Sequence, residues 1–349
     1  MTGDGGTGRR RPYHQCMNDL AESVDRFASE IGFSGVVRVD RGDDTQLSEA
    51  YGLAHRGFEL PVTDDTQFAI ASGGKGFTAL AVVSLIVDGT LSLDTSARSV
   101  LGDDLPLITD DVTVGHLLAH RSGIGDYIDE EDESQDTNDY VLASPVHQLA
   151  TTEAFLTEVD GHPMKFAAGE RFSYCNGGYI VLAIITERAS GVGYHDLVNE
   201  RVLAPAGLTD TGFLRSDEPS GRMAVGYLHP EGLRTNVLHL PVRGNGDGGI
   251  YTTVADIHAF WNAFADGRIV PDEWVAKMTR PHSDVPEKGA SYGLGFWLAG
   301  TGPTVELVGS DVGVSFYSAH DPTTRSTWTV VSNTTDGAWS MVGHLRSPG

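Results

Sequence analysis

Ser72 and Lys75 stand one helical turn apart in the segment Ser-Gly-Gly-Lys, at the start of an apolar run. Residues i and i+3 of a helix share a face, so the hydroxyl and the amine can meet. A serine hydroxyl becomes a good nucleophile only when a neighbouring base takes its proton. A lysine can be that base where burial or nearby positive charge favours its neutral form. Alone, the pattern also fits an ordinary helix start, in which Ser72 is the cap and Lys75 is exposed.

A second candidate element is the triplet Tyr174-Cys175-Asn176. A phenol can shuttle protons when a nearby ammonium makes it more acidic, and an asparagine can hold Lys75 or a substrate carbonyl. Alone, the triplet is better explained by a tyrosine that packs at a helix start. The proposed chemistry therefore requires the Ser72 hydroxyl, the Lys75 amine and the Tyr174 phenol to converge around one carbonyl-sized space.

Taken together, several stretches of the chain resemble the serine β-lactamase-like hydrolases, which include class C β-lactamases, DD-peptidases and family VIII esterases. The likeness runs in consistent order over about residues 20 to 335. The stretches that carry it are 68–81 with 88–94, 114–123, 172–176, 203–213 and 248–257.

The resemblance implies that a substrate acylates Ser72 and that water then hydrolyses the acyl-enzyme. It implies Lys75 and Tyr174 as catalytic partners and leaves open which of them is the main base. Asn176 would position Lys75 and the substrate. No cofactor and no metal ion is expected.

The third motif of that superfamily, Lys-Thr-Gly or His-x-Gly on a sheet-edge strand, aligns here with Leu307-Val308-Gly309. Gly309 still permits close backbone approach, and the N–H groups of Ser310 and Ser72 would form the oxyanion hole. Leu307, however, supplies no cation for a substrate carboxylate, a loss of about 1.5–3 kcal/mol for such substrates. Neutral substrates are therefore favoured over penicillins and D-Ala-D-Ala peptides.

We expect a serine hydrolase that acts on small esters or amides through an acyl-enzyme on Ser72. One alternative is a D-amino-acid peptidase or β-lactamase of the penicillin-binding type. The other, which Leu307 keeps open, is a catalytically idle relative that binds a ligand or assembles with partners.

The charge balance of the chain limits which classes of molecule it can bind. The chain has 48 acidic and 24 basic residues, a net charge of −24. Such a surface repels phosphate backbones and anionic lipids, so we expect neither nucleic acid nor membrane as a partner, but a small-molecule or short-peptide substrate. The two cysteines, Cys16 and Cys175, are too few for a disulfide framework, which favours the cytoplasm. The oligomeric state is left open.

Two other patterns are set aside. His116 and His120 have zinc-ligand spacing, but Leu117 replaces the glutamate of His-Glu-x-x-His, so packing and loop anchoring are expected. The glycines of 244–249 fit Gly-x-Gly-x-x-Gly, yet an apparent strand at 250–253 separates them from the next helix, which argues against a dinucleotide site.

The elements that must position these residues follow from periodicity. The acidic segment 126–140 is predicted to be a solvated loop without chemistry. Helices are predicted over 17–31, 72–88, 116–119, 152–159, 176–189, 194–203 and 254–264, and strands over 34–40, 46–54, 294–298, 305–308, 314–318 and 327–331.

This order predicts an α+β fold (α/β sandwich-like), in which N- and C-terminal strands form one antiparallel sheet flanked by helices. A mostly helical domain would be inserted in the middle. The expected boundaries are a disordered leader over 1–16, a sheet domain over 17–70 and 240–349, and a helical domain over 71–239, with the active site at the junction.

Overall fold

The computed structural model describes residues 13–132 and 140–346. Its strands lie at both ends of the described chain. In chain order they are β1 (Gly35–Arg41), β2 (Asp44–Tyr51), β3 (Leu53–His55), β4 (Leu60–Pro61), β5 (Phe68–Ala69), β6 (Tyr251–Thr252), β7 (Ser283–Val285), β8 (Ala290–Tyr292), β9 (Trp297–Ala299), β10 (Val305–Asp311), β11 (Val314–Asp321) and β12 (Ser326–Ser332).

Eight of these strands form one antiparallel sheet in the order β2-β1-β12-β11-β10-β9-β8-β7. β1 pairs with β12, with Val36 opposite Val331 and Val37 opposite Val330. The prediction that the sheet joins N-terminal and C-terminal strands is confirmed. β5 and β6 form a separate short pair that leads into the Ser72 segment.

Helices cover both faces of the sheet. They are α1 (Tyr13–Ile31), α2 (Lys75–Val87), α3 (Ala97–Leu101), α4 (Val114–Leu118), α5 (Leu156–Val159), α6 (Asn176–Ser190), α7 (Tyr194–Val198), α8 (Ala204–Ala206), α9 (Val254–Ala265), α10 (Asp272–Met278) and α11 (Gly337–Arg346). A π-helical turn over Asn199–Leu203 continues α7.

Successive residues of a strand point to opposite faces, and the core is divided accordingly. Val37 and Val330 belong to a cluster under α1 and α11, whereas Val36 and Val331 belong to a larger cluster that includes α2, α6 and α9. The mixed α+β class predicted from the sequence is confirmed.

Helix α2 is buried from Lys75 to Leu85, and α6 from Asn176 to Thr186. A helix that is apolar around its whole circumference must be enclosed, because no face suits water. These two helices pack on each other, and each begins with residues predicted to do chemistry.

The sequence-based boundaries need two corrections. The predicted leader over 1–16 lies partly outside the described residues, but α1 already begins at Tyr13. The helix predicted from Ser72 begins as a 3₁₀ turn over Ala71–Gly74, and α2 proper starts at Lys75. The division into sheet and helical domains stays a prediction. No helix within the described ranges combines the length and apolarity that a bilayer crossing needs.

Candidate active site

The chain bends sharply just before Ser72. Ala71 has a φ of 44°, in the left-handed region that a residue with a Cβ seldom occupies. The bend ends the approach from β5 and starts the 3₁₀ turn, and Ser72 lines a cavity of about 340 Å³. Strained backbone of this kind is held in place only when the surroundings fix it, and it concentrates at functional sites.

Lys75 is 2% exposed, so the alternative of an ordinary helix start with an exposed lysine is wrong. Its Nζ lies 2.9 Å from Ser72 Oγ, 2.8 Å from Asn176 Oδ1 and 2.7 Å from the carbonyl oxygen of Asp247. The sequence-predicted Ser72, Lys75 and Asn176 are thus directly connected by hydrogen bonds.

These three partners suit both protonation states of the amine. As an ammonium, Lys75 donates to all three oxygens. As a neutral amine it has two hydrogens, and the oxygens of Asn176 and Asp247 can only accept them. The lone pair is then left for the proton of Ser72. The geometry therefore allows a proton to pass from the serine to the lysine without rearrangement.

The ring centre of Tyr174 lies 5.0 Å from Lys75 Nζ, and Tyr174 is near enough to Ser72 for the serine hydroxyl to affect the pKa of its phenol. Trp297 stacks on the same ring at 6.0 Å. Burial raises the pKa of Tyr174 well above its usual value, the charge of Glu130 raises it further, and the Ser72 hydroxyl opposes them. The expected acidification by an ammonium is therefore wrong, and Tyr174 is a neutral phenol beside the serine.

Asn176 is fixed by a residue that the sequence analysis missed. The buried carboxylate of Asp126 accepts the backbone N–H groups of Asn176 at 2.5 Å and Gly177 at 2.8 Å, which anchors the start of α6. Burial raises the pKa of Asp126 to about 7, against the opposing effect of these two hydrogen bonds. No sequence pattern distinguishes this aspartate from its acidic neighbours.

Gly309 and Ser310 lie where β10 meets the Ser72 segment. A Cβ on Gly309 would overlap the carbonyl oxygen of Ile70, and Ser310 lines the cavity with Ser72. Leu307 lies on the same strand face but is 2% exposed and packs towards Gly76. The position therefore gives the cavity no cation.

The glycine-rich turn 244–249, rejected above as a nucleotide motif and in part included in the family resemblance, forms another wall. Asp247 supplies the carbonyl that holds Lys75, and a Cβ on Gly248 would lie 2.6 Å from the carbonyl oxygen of Ala71. Asn245 is 2% exposed, and neither its side-chain oxygen nor its nitrogen has a partner among the described residues. The density of glycines was the only signal in the sequence for this close approach.

The acidic segment predicted to be a loop without chemistry also contributes, so that prediction is wrong for its described ends. Tyr127, Ile128, Glu130 and Tyr140 all line the cavity. The Tyr127 hydroxyl donates to Asp247 Oδ2 at 2.5 Å. Tyr140 donates to Asp311 Oδ1 at 3.2 Å.

The two histidines with zinc-ligand spacing bind the backbone instead. His116 Nδ1 accepts the N–H of Thr113 at 3.4 Å, and His120 Nδ1 accepts that of Cys175 at 3.1 Å. The second contact ties the loop after α4 to the start of α6. Packing and loop anchoring are confirmed as their roles.

Known proteins share this sequence pattern and fold. The family model described as Beta-lactamase matches residues 20–346. A penicillin binding protein from Bacillus halodurans, known from its crystal structure, is 33% identical in sequence to this chain. The two structures superpose with a TM-score of 0.86, and the match covers 93% of this chain and 100% of the other.

Two curated relatives are similar over shorter stretches. A putative penicillin-binding protein PbpX of Bacillus subtilis (strain 168) is 26% identical over 283 residues, 80% of this chain and 66% of the relative. Esterase EstB of Burkholderia gladioli is 32% identical over 206 residues, 55% of this chain and 49% of the relative. The matches thus span about half to two thirds of the length of these relatives.

Proposed function

The chain belongs to the beta-lactamase family, and on that premise we propose that it is a serine hydrolase that forms an acyl-enzyme on Ser72. One observation carries the proposal: Lys75 Nζ lies 2.9 Å from Ser72 Oγ, while its other two hydrogen bonds go to oxygens that can only accept. This arrangement leaves a base within reach of the nucleophile.

In the first step, Ser72 Oγ bonds to the carbonyl carbon of the substrate, and its proton passes to Lys75. The leaving group departs with a proton that Tyr174 donates, and Tyr174 recovers one from Lys75. Water then attacks the acyl carbon, one of its protons passes through Lys75 to Ser72 Oγ as the bond between that oxygen and the acyl carbon breaks, and the acid is released. The raised pKa of Tyr174 supports its role as a donor rather than as the initial base.

The negative charge that develops on the carbonyl oxygen needs fixed donors. We assign these to the backbone N–H groups of Ser72 and Ser310, which border the same cavity. Each such donor is worth roughly 3 kcal/mol in the transition state. Gly309 serves this arrangement because only a residue without Cβ lets β10 approach Ile70 so closely.

The substrate is a small ester or amide without a carboxylate at this corner. Leu307 is buried and gives no cation, and the cavity of about 340 Å³ is in the range of small-molecule binding sites. The second candidate is a penicillin-binding or peptidase activity. It is supported by the similarity of 93% of this chain to the penicillin binding protein of Bacillus halodurans. Rapid hydrolysis of nitrocefin, or a stable penicillin adduct on Ser72, would favour that candidate over the esterase.

The test is a burst of p-nitrophenol from a short-chain p-nitrophenyl ester, together with intact-mass spectrometry after a fluorophosphonate probe. We expect a burst and one adduct in the wild type, and neither in Ser72→Ala. Equal turnover by both proteins would remove Ser72 from the role. A folded wild type that acquires no adduct would identify a catalytically idle relative.

For the location we propose the cytoplasm, on the support of the low cysteine content and of Cys175, a buried free thiol. Cell fractionation with an antibody against the chain tests this.

A further inference from the structure

The wall of the cavity around Ser72 is acidic. Glu130, Asp247 and Asp311 all line it, and no lysine, arginine or histidine does so within the described residues. Lys75 is the nearest cation, but its three hydrogen bonds go to Ser72, Asn176 and the Asp247 carbonyl. A substrate that enters therefore meets more negative than positive charge.

Asp311 is placed to face a bound substrate. It lies two residues beyond Gly309 on β10, and residues two apart on a strand share a face. Its Oδ1 accepts the N–H of Val312 at 2.8 Å and the hydroxyl of Tyr140 at 3.2 Å. Both donors are neutral, so the charge of the carboxylate is not matched by either.

The carboxylate of Asp247 is also hydrogen-bonded to a neutral donor. Its Oδ2 accepts the neutral hydroxyl of Tyr127. The two aspartates also affect each other: burial raises the pKa of Asp311 to about 7, and the charge of Asp247 contributes to the increase. A cation bound near both would relieve this repulsion, and no side chain on the cavity wall supplies one.

Asn245 gives an independent indication of a polar ligand at the same wall. It lines the cavity, is 2% exposed, and its amide oxygen and nitrogen both lack a partner among the described residues. Buried amides are nearly always hydrogen-bonded, so the unpartnered amide of this lining residue is a place where water or a polar ligand atom is expected once the side chain turns towards the cavity.

Resting on the proposed hydrolase function, we propose that the substrate carries a protonated amine beside its scissile carbonyl, held by Asp311 and Asp247 with Asn245 as a further polar contact. Because Asp311 directly follows Ser310, which we assign to the oxyanion hole, the amine must lie within a few bonds of the carbonyl, as the α-amine of an amino acid ester or amide does. Acyl groups that bear a carboxylate are repelled by the same wall.

The experiment compares kcat/KM for three p-nitroanilides of similar size: alanine p-nitroanilide in both enantiomers, which is cationic, propionyl p-nitroanilide, which is neutral, and succinyl p-nitroanilide, which is anionic. We expect one enantiomer of the cationic substrate to exceed the neutral one at least about tenfold, and the anionic one to be the poorest. Equal values for the three would overturn the inference, while a Ser72-dependent ester burst would still support the hydrolase.

Asp311→Asn and Asp247→Asn then test the assignment. Both keep the shape of the side chain, and each is expected to lower the ratio of cationic to neutral kcat/KM about tenfold. A merely structural role would lower both rates together and leave the ratio unchanged. Asp284→Asn, at an exposed position of β7, is the matched control and should leave the ratio as it is.

Binding to Ser72→Ala supplies a measurement that does not depend on turnover. Calorimetry with leucinamide, which has a free amine, and N-acetylleucinamide, which has none, should give a Kd at least about tenfold lower for leucinamide. Adding Asp311→Asn to the Ser72→Ala variant should abolish the difference. Equal affinity for the two amides would overturn the inference whether or not the wild type cleaves an anilide.

Discussion

Gly309 lies so close to Ile70 that any Cβ at position 309 would overlap the Ile70 carbonyl oxygen, and it would lie 2.8 Å from the nitrogen of Gly73. The strand β10 and the turn that carries Ser72 are therefore in backbone contact. This contact sets the distance between the nucleophile and Ser310, and thus the geometry of the proposed oxyanion hole.

Gly309→Ala should separate β10 from the Ser72 turn. We expect kcat/KM for a p-nitrophenyl ester to fall by about 100-fold or more, the effect of losing an oxyanion donor. The overlap also adds about 1–3 kcal/mol of destabilisation, measurable by denaturant unfolding. Gly302→Ala is the control, since a Cβ there meets nothing within 4 Å. Equal activity of the two variants would contradict the oxyanion assignment.

Lys75→Met removes the proposed base and keeps most of the side-chain volume. We expect the rate of fluorophosphonate labelling to fall by about 10²–10⁴-fold, because Ser72 loses its proton acceptor. Stability should change little, since the apolar chain avoids the cost of a buried amine but leaves its three hydrogen-bond partners without a donor. Lys277→Met, far from the cavity wall, serves as control; labelling at the wild-type rate in Lys75→Met would exclude the lysine as base.

Tyr174→Phe separates two roles that the phenol could have. The ring contacts with Lys75 and Trp297 remain, and only the hydroxyl near Ser72 is lost. If Tyr174 protonates the leaving group, amide hydrolysis should fall by about 10²–10⁴-fold, whereas a p-nitrophenyl ester, whose leaving group needs no proton, should lose much less. A uniform loss on both substrates would instead identify Tyr174 as the base that activates Ser72.

Asp311→Asn should change how stability depends on pH. Burial raises the pKa of Asp311 from 3.8 to about 7, so the folded state holds this proton more tightly than the unfolded state. The contribution of Asp311 to wild-type stability therefore decreases as the pH rises from about 4 to 7, and asparagine removes that loss. Relative to wild type, the free energy of unfolding of Asp311→Asn should increase by on the order of 1–4 kcal/mol over this range. It should not increase further above it.

Thermal unfolding of both proteins at pH 4, 5, 6, 7 and 8 measures the gain. Asp284→Asn, on the exposed side of β7, provides the reference and should show no such dependence. A constant difference between Asp311→Asn and wild type at every pH would show that Asp311 ionises freely in the folded protein.

The sequence predicts the parts of this site that depend on local spacing. Ser72 and Lys75 follow from the i, i+3 rule, and Tyr174 and Asn176 follow from the family resemblance. Asp126 could not be found, because its hydrogen bonds to Asn176 and Gly177 join segments about 50 residues apart. Its acidic surroundings look like those of any solvated loop.

The fold is predictable to a similar extent. Long strands rich in β-branched and aromatic residues, such as β11 and β12, carry their own signal, and so do the largely apolar α2 and α6. The strands β7 and β8 have three residues each, too few for any periodicity, and exist because β8 pairs with the edge of β9 and β7 with the edge of β8. Short elements of this kind are set by tertiary packing rather than by local pattern.

The pairing of β1 with β12 has a consequence for how the protein is made. Ser72 and Lys75 leave the ribosome long before β10 supplies Gly309 and Ser310, and β1 must wait for β12, its partner from the opposite end of the described chain. A nascent chain halted anywhere before β10 would hold the proposed nucleophile without Ser310, one of its two proposed oxyanion donors. The proposed active site is thus completed late in translation. Until β12 is made, one edge of β1 is unpaired, and unpaired edges of this kind are prone to aggregation.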